Sequence, residues 1–86
     1  MKRNYNDEAY TQWRKDVLKR DGKKCKMPGC KSRINLQVHH IQKWSTASAL
    51  RYDLSNGITL CRKCHDSIKG QENHYVHVFK LILDNL

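Results

Sequence analysis

The chain has 86 residues, 38% of them hydrophobic, and carries seventeen Lys and Arg against eight Asp and Glu, a formal charge of +9. That length holds one domain, residues 1–86, and excludes a thick aliphatic core able to stand without a staple. No membrane-spanning helix is expected: no apolar run approaches the ~18 residues of a span, and the start MKRNYNDE lacks the apolar stretch of a signal peptide.

The first predicted element is a helix from about Asp7 to Arg20. Tyr10, Trp13 and Val17 recur at three- and four-residue steps, and Ala9 and Leu18 widen the stripe. Asn6 is placed to cap it, and Asp7 and Glu8 sit where the helix dipole favours negative charge. Asp21-Gly22 stops it, Gly22 suiting the left-handed position after a helix. Arg14, Lys15, Lys19 and Arg20 fall on its polar side and toward its C-terminal end. Residues 23–33 read as a tight loop in which Pro28-Gly29 turns Cys25 and Cys30 toward each other. Leu36-Gln37-Val38 is a short strand leading into His39-His40. Residues 42–57 form a long connection with one helical turn near Ser45–Leu50, ending at Asn56-Gly57, which taken alone is a common turn dipeptide. Ile58-Thr59-Leu60 makes a second strand, and a helix from about Arg62 to Lys69 breaks at Gly70. In the last helix Tyr75, Val78, Phe79, Ile82, Leu83 and Leu86 follow one apolar face. That face has the width of one covering a core, so a monomer is expected rather than a dimer seam.

Cys25-x4-Cys30 and Cys61-x2-Cys64 are two short-spaced pairs thirty residues apart. Each pair can present two soft donors from one turn, so a structural zinc would join two distant segments and supply the missing staple. Disulfides are the competing use. The absence of a secretion signal argues instead for the cytoplasm, where thiols stay reduced. Cys61-Arg62-Lys63-Cys64-His65 also fits the C-x-x-C-H pattern of haem attachment. That chemistry normally requires export, and it would leave Cys25 and Cys30 without a role.

The positive charge is uneven. Residues 1–33 carry eleven basic and four acidic side chains, residues 34–86 six and four. A basic face suits a polyanion, because each neutralised phosphate releases condensed counterions; Arg14, Lys15, Lys19 and Arg20 are the candidate contacts with DNA. His39-His40 ends one strand, Asn56-Gly57 leads into the other, and His65 follows the second cysteine pair at a helix start. Successive helical residues point about 100° apart, so Cys64 can face a metal while His65 faces a different site.

The string Trp13-Arg14, Val17-Leu18-x-Arg20-Asp21, Cys25-x4-Cys30, Val38-His39-His40-Ile41, Arg51-x-Asp53-x2-Asn56-Gly57-Ile58-x-Leu60-Cys61-x2-Cys64-His65 resembles the HNH endonuclease family over roughly residues 10–72. It looks closest to the small four-cysteine members common in bacteriophage and bacterial genomes. The resemblance implies an α+β fold: a ββα-metal (HNH, His-Me finger) core, a zinc site of four cysteines, and flanking N- and C-terminal helices. It further implies that His39 and His65 hold a catalytic divalent ion, that His40 is the general base, and that Asn56 constrains the loop holding the base-bearing strand. His39 stands where other members often have aspartate. Arg51 and Asp53 are assigned structural roles.

Phosphodiester hydrolysis needs a water deprotonated near neutral pH, for which imidazole has the right basicity. It also needs charge neutralised on the phosphate and the leaving oxygen, which a divalent ion can supply. Two imidazoles suit Zn2+, Ni2+, Co2+ or Mn2+ better than Mg2+. By resemblance the products carry a 5′-phosphate and a 3′-hydroxyl. Adjacent residues of a regular strand face opposite ways, so an irregularity is expected at His39 and His40 unless the phosphate is gripped between them; a regular strand with the two rings on opposite sides would count against a shared site. No recognition-helix signature is present, which predicts nicking or cutting of DNA with weak sequence preference. Small phage members resemble nucleases that act beside the packaging terminase, so a terminase or another directing protein is the implied partner. The alternative is a zinc-stabilised DNA-binding module that does not cleave; it would not require His40 and Asn56.

Overall fold

In the computed structural model, which describes residues 8–42 and 48–86, the predicted helices and strands form in the predicted order. Helix α1 is Glu8–Arg20, strand β1 Leu36–His40, strand β2 Gly57–Cys61, helix α2 Arg62–Ser67 and helix α3 Glu72–Asp84. The connection between the strands contains two short 3-10 turns, Ser48–Leu50 and Leu54–Asn56. The expected cap Asn6, and Asp7, lie outside the described residues, as do residues 43–47 of the connection, which include the start of the turn expected near Ser45–Leu50.

Trp13 and Val17 form the buried stripe of α1. The helix ends as its sequence dictates: Gly22 has φ +69°, its N–H donates to Lys19 O at 3.2 Å, and the Lys23 N–H donates to Leu18 O at 2.9 Å. These are the two crossed bonds of a glycine-terminated helix.

The strands pair antiparallel, from Leu36 opposite Cys61 to His40 opposite Gly57. The Ile41 N–H donates to Asn56 O at 2.9 Å, carrying the ladder one step further. The irregularity expected at His39 and His40 is therefore absent. The strand stays regular because Asn56 and Gly57 continue its partner in register past the histidine pair. Paired residues of an antiparallel ladder share a face. His39 thus lies with Ile58, Gln37 and Leu60 on one side, and His40 with Gly57, Val38 and Thr59 on the other.

The first face packs under α2 and α3 around Ile58, Leu60, Ile68 and Phe79, all at most 1% exposed. Fully burying side chains of this size contributes about 1.5–3 kcal/mol each. On α3, Tyr75, Val76, Ile82 and Leu83 join that core. Val78, expected there, is only half-buried and stands outside the cluster, and Leu86 is 59% exposed because the helix ends at Asp84.

The opposite face packs on α1. Gly57 has extended φ and ψ of −125° and 145°, so it is not there for a turn. A Cβ at this position would stand 2.6 Å from Trp13 Cζ2 and 2.7 Å from Val17 Cγ2. The glycine admits the helix. Asp21, 2% exposed, accepts from the Thr59 N–H at 2.9 Å, and Thr59 O accepts from the Lys26 N–H at 2.9 Å. The outer edge of β2 is thereby closed by backbone and carboxylate from the preceding segment.

Candidate functional site

The four cysteines converge. Cys25, Cys30, Cys61 and Cys64 place their sulfurs within 4.8 Å of one another, and none is in a disulfide. Cys30 and Cys61 Sγ are 3.8 Å apart, against about 3.8 Å for two thiolates bound tetrahedrally to one zinc at ~2.3 Å. The donor set therefore fits one metal ion, and it leaves no pair of sulfurs for haem attachment.

Local chain geometry builds each half of the cluster. Gly29, at φ +83°, turns the first loop so that the Cys30 N–H donates to Met27 O at 2.9 Å. Cys61 ends β2 and caps α2, its Sγ accepting from the Cys64 N–H at 3.5 Å. That donor holds the Cys61 thiol down at about 7. Burial pushes the Cys25 and Cys64 thiols up, and at Cys64 the neighbouring sulfurs add to it. Four crowded thiols oppose shared ionisation; a divalent cation among them reverses that balance and deprotonates its ligands.

A second group of side chains lies at the far end of the sheet. His39, 8% exposed, meets His65 of α2 with ring centroids 5.3 Å apart at 67°. Two imidazoles bound to one ion at ~2.1 Å, at a near-tetrahedral angle, would hold their centroids about 5 Å apart. The pair fits a shared ion and leaves further coordination positions for oxygen ligands. Phe79 of α3 packs edge-on against His39 at 5.7 Å.

His40, 6% exposed, faces α1 instead. Its ring stacks on Trp13 at 4.2 Å and 19°, and its Nε2 stands 2.9 Å from Arg51 O. A carbonyl oxygen only accepts, so Nε2 carries a proton, and Nδ1 is itself buried.

Asn56, 3% exposed, ties the loop to the strand ends. Its Oδ1 accepts from the Gln42 N–H at 2.8 Å, and its amide donates to Leu50 O at 3.1 Å and Gln42 O at 3.3 Å. Asp53 caps the second 3-10 turn, accepting from the Ser55 N–H and hydroxyl; these bonds hold its carboxyl below the usual range.

Of the four basic residues expected to meet DNA, Lys15 and Lys19 are exposed on α1 and Arg14 is half-buried. Arg20 departs from that expectation. Its guanidinium donates twice to Asp21 at 2.9 and 3.0 Å, and to Leu54 O and Gly57 O at 2.6 Å each. Four of its five N–H groups are thus committed inside the protein. Arg20 joins α1 to the loop before β2.

Sequence reasoning missed three participants: the flat face of Trp13 on His40, the Arg51 carbonyl, and the Arg20–Asp21 pair closing β2. A tryptophan in an apolar stripe reads as core, and a backbone carbonyl leaves no mark in a sequence. Only the adjacent opposite charges of Arg20 and Asp21, at a helix end, offered a signal.

A family model described as HNH endonuclease matches residues 24–71, more than half of the chain. The matched stretch takes in both cysteine pairs, both strands and α2, and leaves α1 and α3 outside. Comparison with curated proteins gives no match, and neither does comparison with solved structures.

Proposed function

The chain belongs to the HNH endonuclease family, and from that premise we propose that it is a metal-dependent endonuclease hydrolysing phosphodiester bonds of DNA. The observation that carries the reading is the placement of His39 beside His65 while the next residue of the same strand, His40, is held through Nε2 by the Arg51 carbonyl. The two histidines face opposite sides of a regular strand, which counts against a single shared site, so the reading requires the scissile phosphate to be gripped between them at the end of the strand. Zinc is the ion proposed for the cysteines, and Mn2+, Ni2+, Co2+, Zn2+ or Mg2+ for the histidine pair.

His39 and His65 would hold the catalytic ion; when bound, it neutralises charge on the phosphate and leaving oxygen. His40 takes the proton of the attacking water, which requires that water reach its buried Nδ1, and Arg51 O stabilises the imidazolium through the Nε2–H. Asn56 keeps the loop bearing Arg51 closed on the end of β1. Lys15, Lys19 and Arg14 meet phosphates along the duplex, which positions the chain without reading bases. Weak sequence preference is expected from contacts of this kind, and membership of the family implies products bearing 5′-phosphate and 3′-hydroxyl ends. A directing protein such as a phage terminase would supply the target.

Incubation of the purified protein with supercoiled plasmid and each ion in turn tests this, with EDTA as control. His40→Ala and His65→Ala are each expected to lower nicking by two orders of magnitude or more, with one zinc per chain retained. Undiminished nicking by His40→Ala would remove it as the base. No nicking with any ion alongside retained DNA binding would favour a zinc-stabilised binding module, the reading that the opposed faces of His39 and His40 also suit.

A further inference from the structure

We propose that Trp13 is a positioning residue for His40: its indole face sets the plane of the imidazole, and its edge anchors the loop that presents the imidazole's acceptor. The face lies on the ring at 4.2 Å and 19°. From the edge, Nε1–H donates to Asp53 O at 2.8 Å, two residues beyond Arg51, whose carbonyl accepts from His40 Nε2. One side chain therefore touches both the ring and the segment that orients it.

The need for such a device follows from histidine itself. Its terminal torsion is broad and roughly two-fold, so rotation about it exchanges the two ring positions at little cost. A flat neighbour in offset contact removes the intermediate orientations, and the Arg51 carbonyl then selects one of the two that remain. The arrangement is built into the backbone. Gly57 lies opposite His40 in the ladder, and a Cβ there would occupy the space of Trp13 Cζ2. Tyr10, one turn earlier on α1, is a more distant second plane at 6.5 Å and 20°. Both aromatic planes come from α1, outside the stretch matched by the family, whereas Arg51 and Gly57 lie within it.

The catalytic consequence rests on the nuclease reading above, whereas the ordering of the ring does not. Two variants separate the indole's two contacts: Trp13→Phe keeps a flat face and loses the N–H, and Trp13→Leu keeps apolar volume and loses both. On supercoiled plasmid we expect kcat to fall a few-fold in the first and on the order of tenfold or more in the second, with KM within about twofold of the parent. In a His40→Ala background Trp13→Leu should cause no further loss, because the residue acts through His40. Imidazole nitrogen NMR at about pH 8, where histidine is neutral, should show one Nε2–H tautomer for His40 in the parent and Trp13→Phe, and a mixture in Trp13→Leu. An unchanged kcat and tautomer in folded, zinc-loaded Trp13→Leu would overturn the proposal, as would a loss that multiplies with His40→Ala. Should Trp13→Leu not fold, Trp13→Phe decides, and a raised KM with unchanged kcat counts against it. If the parent does not nick at all, the nuclease reading fails, and the ring spectra alone decide the positioning role.

Discussion

Asn56 holds three backbone partners with one amide: the Gln42 N–H, Gln42 O and Leu50 O. At 3% exposure water cannot replace them, so truncation strands a buried donor and two acceptors, each costing about 1–3 kcal/mol. Asn56→Ala is expected to lower the urea midpoint by an amount equivalent to about 3 kcal/mol or more and to slow nicking about tenfold or more. Asn56→Asp should be no milder despite its shape, because a carboxylate would face two carbonyl oxygens where the amide donates. An Asp variant with parental stability would show that the amide's donors are not needed. Little of this was legible beforehand. Asn56-Gly57 read alone is a turn dipeptide, and only the resemblance made Asn56 a loop clamp. The bonds themselves depend on where Gln42 and Leu50 come to lie, which no spacing in the chain discloses.

The elements interlock chiefly through the two faces of the β1–β2 ladder. Helix α1 reaches its face because Gly57 lacks a side chain, and the extended backbone there would accept alanine without strain. All of the cost of Gly57→Ala therefore arises in packing against Trp13 and Val17. Overpacking of this kind costs about 1–3 kcal/mol, and the melting temperature should fall accordingly, by roughly 4–8 °C per kcal/mol for a domain of this size. A melting temperature equal to the parent's would mean that α1 can retreat freely. The elements themselves were well foreseen, because the repeats of two and 3.6 residues are local properties of the chain. The regular course of β1 through His39 and His40 was not foreseen. It depends on the partner strand continuing in register to Gly57, with Ile41 bonded to Asn56 beyond it.

For the whole molecule the decisive quantity is the metal that the cysteines suit. No helix among the described residues is long and apolar enough to cross a membrane, and the core of an 86-residue chain is thin. A structural zinc contributes ~10 kcal/mol or more, as much as the whole stability of many domains. Stripping it with a strong chelator should abolish the cooperative thermal transition and most of the far-UV circular dichroism, and zinc should restore both. A chelated chain that still melts cooperatively would show that the core stands without metal. The cysteine staple, the order of helices and strands and the family were all determined by the sequence alone. Donor spacing, periodicity and motif are written along the chain in consecutive residues. Tertiary structure decided what crosses between segments: the opposed faces of His39 and His40, the inward turn of Arg20, and the indole laid on the imidazole. Those depend on register and on the approach of one element to another, and such contacts are set only when distant residues pack.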